Sequence, residues 1–308
     1  MNRFIQWLPD RVDGRIRAFA WLSLIAQTTI IATGGAVRLT GSGLGCPTWP
    51  TCTADSLIPT DELGYHSLIE FGNRMMTGVV GIVALLLFVL VWHIRAERRD
   101  LFTLAFIVGA GVVAQAIVGG VTVWTGLNPF IVGFHYISSL ILVCVAAAFI
   151  VRMNATPGPR ELAVPGWYAG LTHATTALLA LTIVFGILTT GAGPHSGDAA
   201  AGRNGFEAEL LEHVHAWPGY ALLALTLALL VGAWRLRLPT LRWTIVLLAV
   251  ELVQVAVGLY QARNGLPPLA VGVHMVLAAL IAAATTVVVL RLKRPVPTHR
   301  PVEASVTA

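Results

Sequence analysis

Apolar runs long enough to cross a bilayer recur eight times along this 308-residue chain, and they leave few architectures open to it. They lie at residues 17–39, 68–93, 101–124, 130–151, 167–190, 209–234, 241–262 and 269–290. A helix of about 20 residues spans the hydrocarbon, and lipid offers main-chain groups no partner outside the helix itself. Only 11% of the residues are charged and 56% are hydrophobic, where soluble domains carry about 25% charged. The expected fold is an all-α membrane protein with eight transmembrane helices.

Lys and Arg collect on the cytoplasmic side of membrane spans. With the N-terminus inside, sixteen of the 20 basic residues, from Arg3 to Arg300, fall in cytoplasmic segments. Three (Arg38, Arg203 and Arg263) fall on the opposite side, and Arg74 lies within a span. Both termini are therefore expected in the cytoplasm of a cell that carries this protein in its membrane. The pI of 9.6 reflects that bias and calls for no nucleic-acid partner. The first span contains "ATGGAV" but has a longer apolar core and charged lead-in than a signal peptide, and is read as retained.

The chain also repeats itself. "GLNPFIVGFH" at 126–135 aligns with "GLPPLAVGVH" at 265–274, a shift of 139 with six of ten positions identical. The same shift pairs Gln115 with Gln254 and Gly119 with Gly258. A shift of 142 sets Glu70–Asn73 over Glu212–His215, and one of 154 sets "RLTGSG" over "AGPHSG". An even number of spans per half gives both halves the same orientation. Two tandem four-helix bundles follow, residues 1–155 and 156–308, related by a pseudo-two-fold axis along the membrane normal.

Ionisable side chains inside spans usually face a bundle interior and serve a function there. His135 and His274 follow corresponding loops into helices 4 and 8, and His215 lies early in helix 6, so all three share a depth toward the extracytoplasmic face. Facing imidazoles on His215 and His274 can take both axial positions of a heme iron, a ligand flat enough to fill a four-helix interior. A lone intramembrane His serves as readily in an interhelical hydrogen bond; a pair repeated at matching depth favours heme. Zinc lacks the further ligands it needs. In the first half His135 recurs, but Asn73 stands at the position of His215, which leaves an iron there with one protein ligand and an open face. Glu70, one turn from Asn73, is the acid able to take a proton or steady a developing cation. It is equally placed for an i, i+4 pair with Arg74. Arg38 and Arg74 can hold propionates or simply snorkel to the interface.

The stretch "TGSGLGCPTWPTC" at 40–52 interrupts the oily helices with two cysteines on the oxidising side. A Cys46–Cys52 disulfide is chemically reasonable there, as a structural staple or as a redox-active pair.

"GGAVRLTGSGLGCPTWPTC", "IEFGNR", the histidines of helices 4, 6 and 8, and "GAGPHSGD" together resemble heme A synthase over essentially the whole chain. Members of that family oxidise the C8 methyl of heme O to a formyl group, yielding heme A for terminal oxidases. The resemblance implies a b-type heme on His215 and His274, preferred over His213, with heme O near His135 and Glu70 as the catalytic carboxylate. Asn73 and Arg74 neighbour that substrate site. It also implies a functional Cys46–Cys52 disulfide. Heme O and heme A are the implied small-molecule partners, alongside heme O synthase, terminal-oxidase assembly factors and an electron partner. Asn73 departs from the family pattern, which has His at that position. The alternative reading is a non-catalytic membrane diheme b-type electron carrier; it accounts for the repeat but not for Asn73 or the cysteine loop. A heme or lipid transporter is a further alternative.

Overall fold

A computed structural model describes residues 8–296. Arg3, Arg300 and both chain ends, with the cytoplasmic placement expected of them, lie outside the described residues. The described chain forms α1 (Gly14–Leu39), α2 (Gly64–Trp92), α3 (Arg99–Trp124), α4 (Pro129–Met153), α5 (Gly166–Ala192), α6 (Ala208–Arg235), α7 (Leu241–Arg263) and α8 (Pro268–Leu290). Each matches one expected span, and each is long and apolar enough to cross a membrane.

Local chemistry sets where these helices begin. Asp13 caps α1 by accepting from the main-chain N–H groups of Arg15 at 3.0 Å and Ile16 at 3.1 Å. Asn128 caps α4, and prolines occupy the first positions of α4 and α8, where a missing N–H is harmless.

The helices close into two rings. In the first, α1 and α3 each pack against both α2 and α4; in the second, α5 and α7 each pack against both α6 and α8. The rings meet where α8 lies on α1 and α4 and where α4 lies on α5. Glycines let neighbours approach: Gly111 of α3 receives Leu142 of α4, and Gly232 of α6 receives Trp167 and Tyr168 of α5. Large apolar side chains such as Ile25, Ile82, Trp234 and Leu269 are exposed on the outside, the surface a bilayer covers.

Segments that align in the sequence take the same local form. Gly126 and Leu127 leave α3 with φ of 60° and 59°, and Gly265 and Leu266 leave α7 with φ of 71° and 56°. A leucine in this left-handed region is strained by about 1–3 kcal/mol. In both places its N–H bonds back into the preceding helix, to Thr122 at 2.8 Å and to Gln261 at 2.9 Å, and so closes the helix end.

Aligned residues also touch each other between the rings. The Tyr136 hydroxyl donates to the carbonyl of Met275, its counterpart at a shift of 139, at 2.8 Å. Gly43 N–H donates to the carbonyl of Gly197, its counterpart at a shift of 154, at 2.7 Å. At the opposite end of the molecule, β1 (Arg160–Leu162) pairs antiparallel with β2 (Lys293–Pro295). Strands of three residues are too short to show alternation, so the sequence reading contains no counterpart to them. They tie the segment between the rings to the chain beyond α8.

Tyr136→Phe removes the bond to Met275 and is expected to cost about 1 kcal/mol. A lower unfolding midpoint in detergent, with helix content unchanged, is the measurement that checks it.

Candidate functional site

The chain between α1 and α2 folds over the end of the first ring without regular secondary structure. Its glycines are there for close approach: a Cβ on Gly45 would lie 2.5 Å from the His66 carbonyl oxygen, and one on Gly43 would lie 2.7 Å from Leu127. Cys46 and Cys52 form a disulfide, and both residues are fully buried. Between them Trp49 lies flat on Gly120 of α3, where a Cβ would meet its ring at 2.6 Å, and edge-on to Trp124 at 5.4 Å.

Two side chains of α2 hold this loop down. Glu70, 5% exposed, accepts the Cys46 N–H at 2.7 Å through one carboxylate oxygen and the Arg74 guanidinium through the other. Arg74 then donates to the carbonyls of Thr48 at 2.9 Å, Thr51 at 3.1 Å and Cys46 at 3.2 Å. The helical spacing of four brings the carboxylate and guanidinium together. The contact of each with the loop is tertiary. His66, one turn further out, bonds the Ser42 hydroxyl through Nδ1 at 2.9 Å.

Below the loop, Asn73 faces α1, where its side-chain oxygen lies 2.7 Å from the Thr33 hydroxyl. His135 stands as the seventh residue of α4 with Nδ1 buried and without a hydrogen-bond partner. A Cβ on Gly119 of α3 would lie 3.6 Å from its ring. Gln115 donates to the His135 carbonyl at 2.9 Å and to the Ser139 hydroxyl, and so braces α3 on α4.

In the second ring His274 is likewise the seventh residue of its helix. His215 and His274 face one another with ring centres 6.1 Å apart and planes at 75°. Two imidazole–metal bonds of about 2 Å each, with each ring centre just behind its nitrogen, span a gap of that size. Nδ1 of His215 is engaged with the Thr182 carbonyl at 2.9 Å, which leaves Nε2 as the ligating atom. Nδ1 of His274 is buried and has no hydrogen-bond partner. The rings sit on bare backbone: a Cβ would lie 2.8 Å from His215 at Gly186 and 3.2 Å from His274 at Gly258. The pair therefore fits an iron held between two imidazoles. Among the described residues no three His, Cys, Asp or Glu side chains cluster as a metal site.

The other polar residues of the spans do not converge there. His213 is exposed and stacks on Trp217, Glu212 is exposed on the same helix, and His173 faces outward on α5. Glu251 is buried in α7 and accepts from the Thr226 hydroxyl at 3.0 Å. Sequence reasoning did not single out Ser42, Thr33 or Gly186. Each meets its partner from a different element, so spacing along the chain carried no signal for them.

Residues 17–196, more than half of the chain, match the COX15-CtaA family, described as cytochrome oxidase assembly protein. The chain belongs to this family. The family match takes in the loop clamp, Asn73, His135 and Gly186, while His215 and His274 lie beyond it. Membership and eight apolar helices together make the chain a multi-pass membrane protein. It is 34% identical over 153 residues to a protein of Lysinibacillus sphaericus named heme A synthase, across 49% of this chain and 45% of that one. Proteins of the same name from Listeria welshimeri and Bacillus mycoides are 30% and 32% identical over 139 and 142 residues. These matches cover 45% and 46% of this chain, and 45% and 42% of the relatives. The chain thus spans about half the length of the curated relatives it matches.

Arg74→Ala removes every guanidinium contact of the loop. The disulfide is then expected to be reduced by a water-soluble thiol at least about tenfold faster, since local opening no longer breaks these bonds. Timed alkylation of the freed cysteines reads the rate; an unchanged rate would show that the loop is held by other contacts.

Proposed function

We propose that the chain is a heme A synthase, an oxidoreductase that converts the C8 methyl of heme O to a formyl group for terminal-oxidase assembly. The observation that carries this reading is the asymmetry of the two rings: facing imidazoles in one, and in the other a single buried histidine, with Asn73 on Thr33 at the aligned position, beneath a pinned disulfide loop. The names of the relatives support it.

In this reading the chain has two four-helix halves, residues 1–155 and 156–308, with both termini cytoplasmic and the loop extracytoplasmic. The closed rings, and the aligned pairs Tyr136/Met275 and Gly43/Gly197 that touch, favour a two-fold relation between the halves. His215 and His274 hold a b-type heme; the outward stacking of His213 leaves His215 as the inward imidazole of α6. That heme supplies one-electron transfer when bound.

Heme O is the substrate of the first half, with its iron on His135. Asn73 is a poor iron ligand, so the face opposite His135 stays open for turnover rather than closed for electron carriage. Glu70 accepts the proton lost from the C8 methyl, and Arg74 keeps the carboxylate oriented. The methyl carbon gives up two electrons and gains a hydroxyl twice, first to the alcohol and then to the geminal diol, which loses water to the aldehyde. The four electrons would leave through the b-type heme to an external electron acceptor, with water supplying each hydroxyl oxygen. The disulfide loop, with Trp49 against α3, keeps bulk water off the site. Heme O synthase and oxidase assembly factors would supply the substrate and take the product.

Expression with a supply of heme O, followed by extraction and mass identification of the hemes, is expected to yield heme A; b-type heme alone would leave an electron carrier. Changing His215 or His274 to Ala is expected to remove the b-type absorption, and a double variant that keeps its colour overturns this assignment. Glu70→Gln can still accept the Cys46 N–H but cannot take a proton, so formyl production is expected to stop while the loop stays resistant to reduction. Undiminished heme A from that variant would leave Glu70 a positioning residue only.

A further inference from the structure

Arg38, next to the end of α1, is a cation without an anion. Its Nη2 donates to the Thr190 carbonyl at 2.9 Å, while its Nε is buried and has no partner. Among the described residues no carboxylate forms an ion pair with it. The segment between α5 and α6 lies against it: a Cβ on Gly197 would stand 3.9 Å from Arg38, and the basic residue of that segment is Arg203. Arg203 is itself held in place by the carbonyls of Ala201 at 3.1 Å and Pro194 at 2.9 Å. The buried Arg38 Nε stays unsatisfied next to the segment that carries the exposed Arg203, a state that an anion held between the two relieves.

The neighbours of Arg38 say which anion. On either side of it along α1, a Cβ on Gly35 would lie 3.6 Å from Met275, and the Leu39 side chain lies 3.1 Å from a Cβ on Gly272, so α1 meets α8 just before and just after His274. Thr190, which Arg38 bonds, is one turn along α5 from Gly186, the glycine beneath His215. Four residues of helix rise about 6 Å. The Arg38 guanidinium therefore stands about one turn from the facing imidazoles, toward the disulfide-loop end of the molecule.

Resting on the reading of His215 and His274 as heme ligands, we propose that Arg38 and Arg203 form the binding site for the carboxylates of that heme. An arginine of the first half then secures the porphyrin of the second. Guanidinium suits this task because its planar fork of donors matches a carboxylate. The unpartnered Nε and the missing acid are both accounted for.

The test is a titration of the full chain, purified heme-free, with iron protoporphyrin IX and with its dimethyl ester, whose carboxylates carry no charge. Binding is followed by porphyrin absorbance. The wild-type chain is expected to bind the free acid at least about tenfold more tightly than the ester, the effect of one lost charge-assisted bond. Arg38→Gln and Arg203→Gln are each expected to weaken binding of the free acid and leave the ester unchanged. Arg203 is exposed, so its variant is informative even where Arg38→Gln folds poorly. Equal affinity of the wild-type chain for the two porphyrins, or equal losses for both in the variants, overturns the carboxylate site and leaves the heme reading intact. Failure of the wild-type chain to bind either porphyrin, or no loss in His274→Ala, overturns the heme reading and this proposal with it.

Discussion

Irregular chain at the end of a helical bundle carries polar main-chain groups that no helix ladder satisfies, and here Glu70 and Arg74 take up that task. One carboxylate oxygen holds the Cys46 N–H, the other holds Arg74, and Arg74 in turn collects four loop carbonyls, those of Cys46, Thr48, Pro50 and Thr51. Burying such a pair is unfavourable unless each remaining donor and acceptor is used, and the loop supplies those partners. The disulfide, Trp49 on Gly120 and the His66–Ser42 bond all depend on the loop staying where this clamp holds it.

The interface between the rings has a related economy. Tyr136 meets Met275 near the level of the histidines, and Gly43 meets Gly197 at the loop end. Because aligned residues lie near the same place, a change in one half is felt in the other. Arg38 is the clearest case: it leaves α1 of the first ring and bonds α5 of the second. The two proposed heme sites are thus parts of one scaffold, joined through α1, α4 and α8.

Much of this was legible in the residue order. Helix number and approximate ends follow from apolar run lengths, because a membrane-spanning segment has only one way to satisfy its own backbone. His135 and His274 could be equated in depth because "GLNP" and "GLPP" precede them at equal distance. The pairing of Glu70 with Arg74 follows from helical spacing alone. Other features had no such signal. Arg74 can pair with a propionate or with a carbonyl on equal terms as far as local sequence goes. Only the path of residues 46–51 directs it to the loop. Trp49 on Gly120 and Leu127 under Gly43 join segments tens of residues apart, and the short β pair is below the length at which any pattern registers.

What the amino-acid order determined, then, was the class of structure: eight helices, a cysteine-bearing loop between the first two, and imidazoles at matching positions of their helices. These follow from hydrophobicity, periodicity and spacing, which are properties of neighbours along the chain. Tertiary structure alone decided that His215 turns inward while His213 turns out, that Glu70 grips a main-chain amide, and that Arg38 lies against the chain between α5 and α6 without an acid. Each depends on which side chain of a distant helix fills the adjoining space, and helix packing sets that in three dimensions.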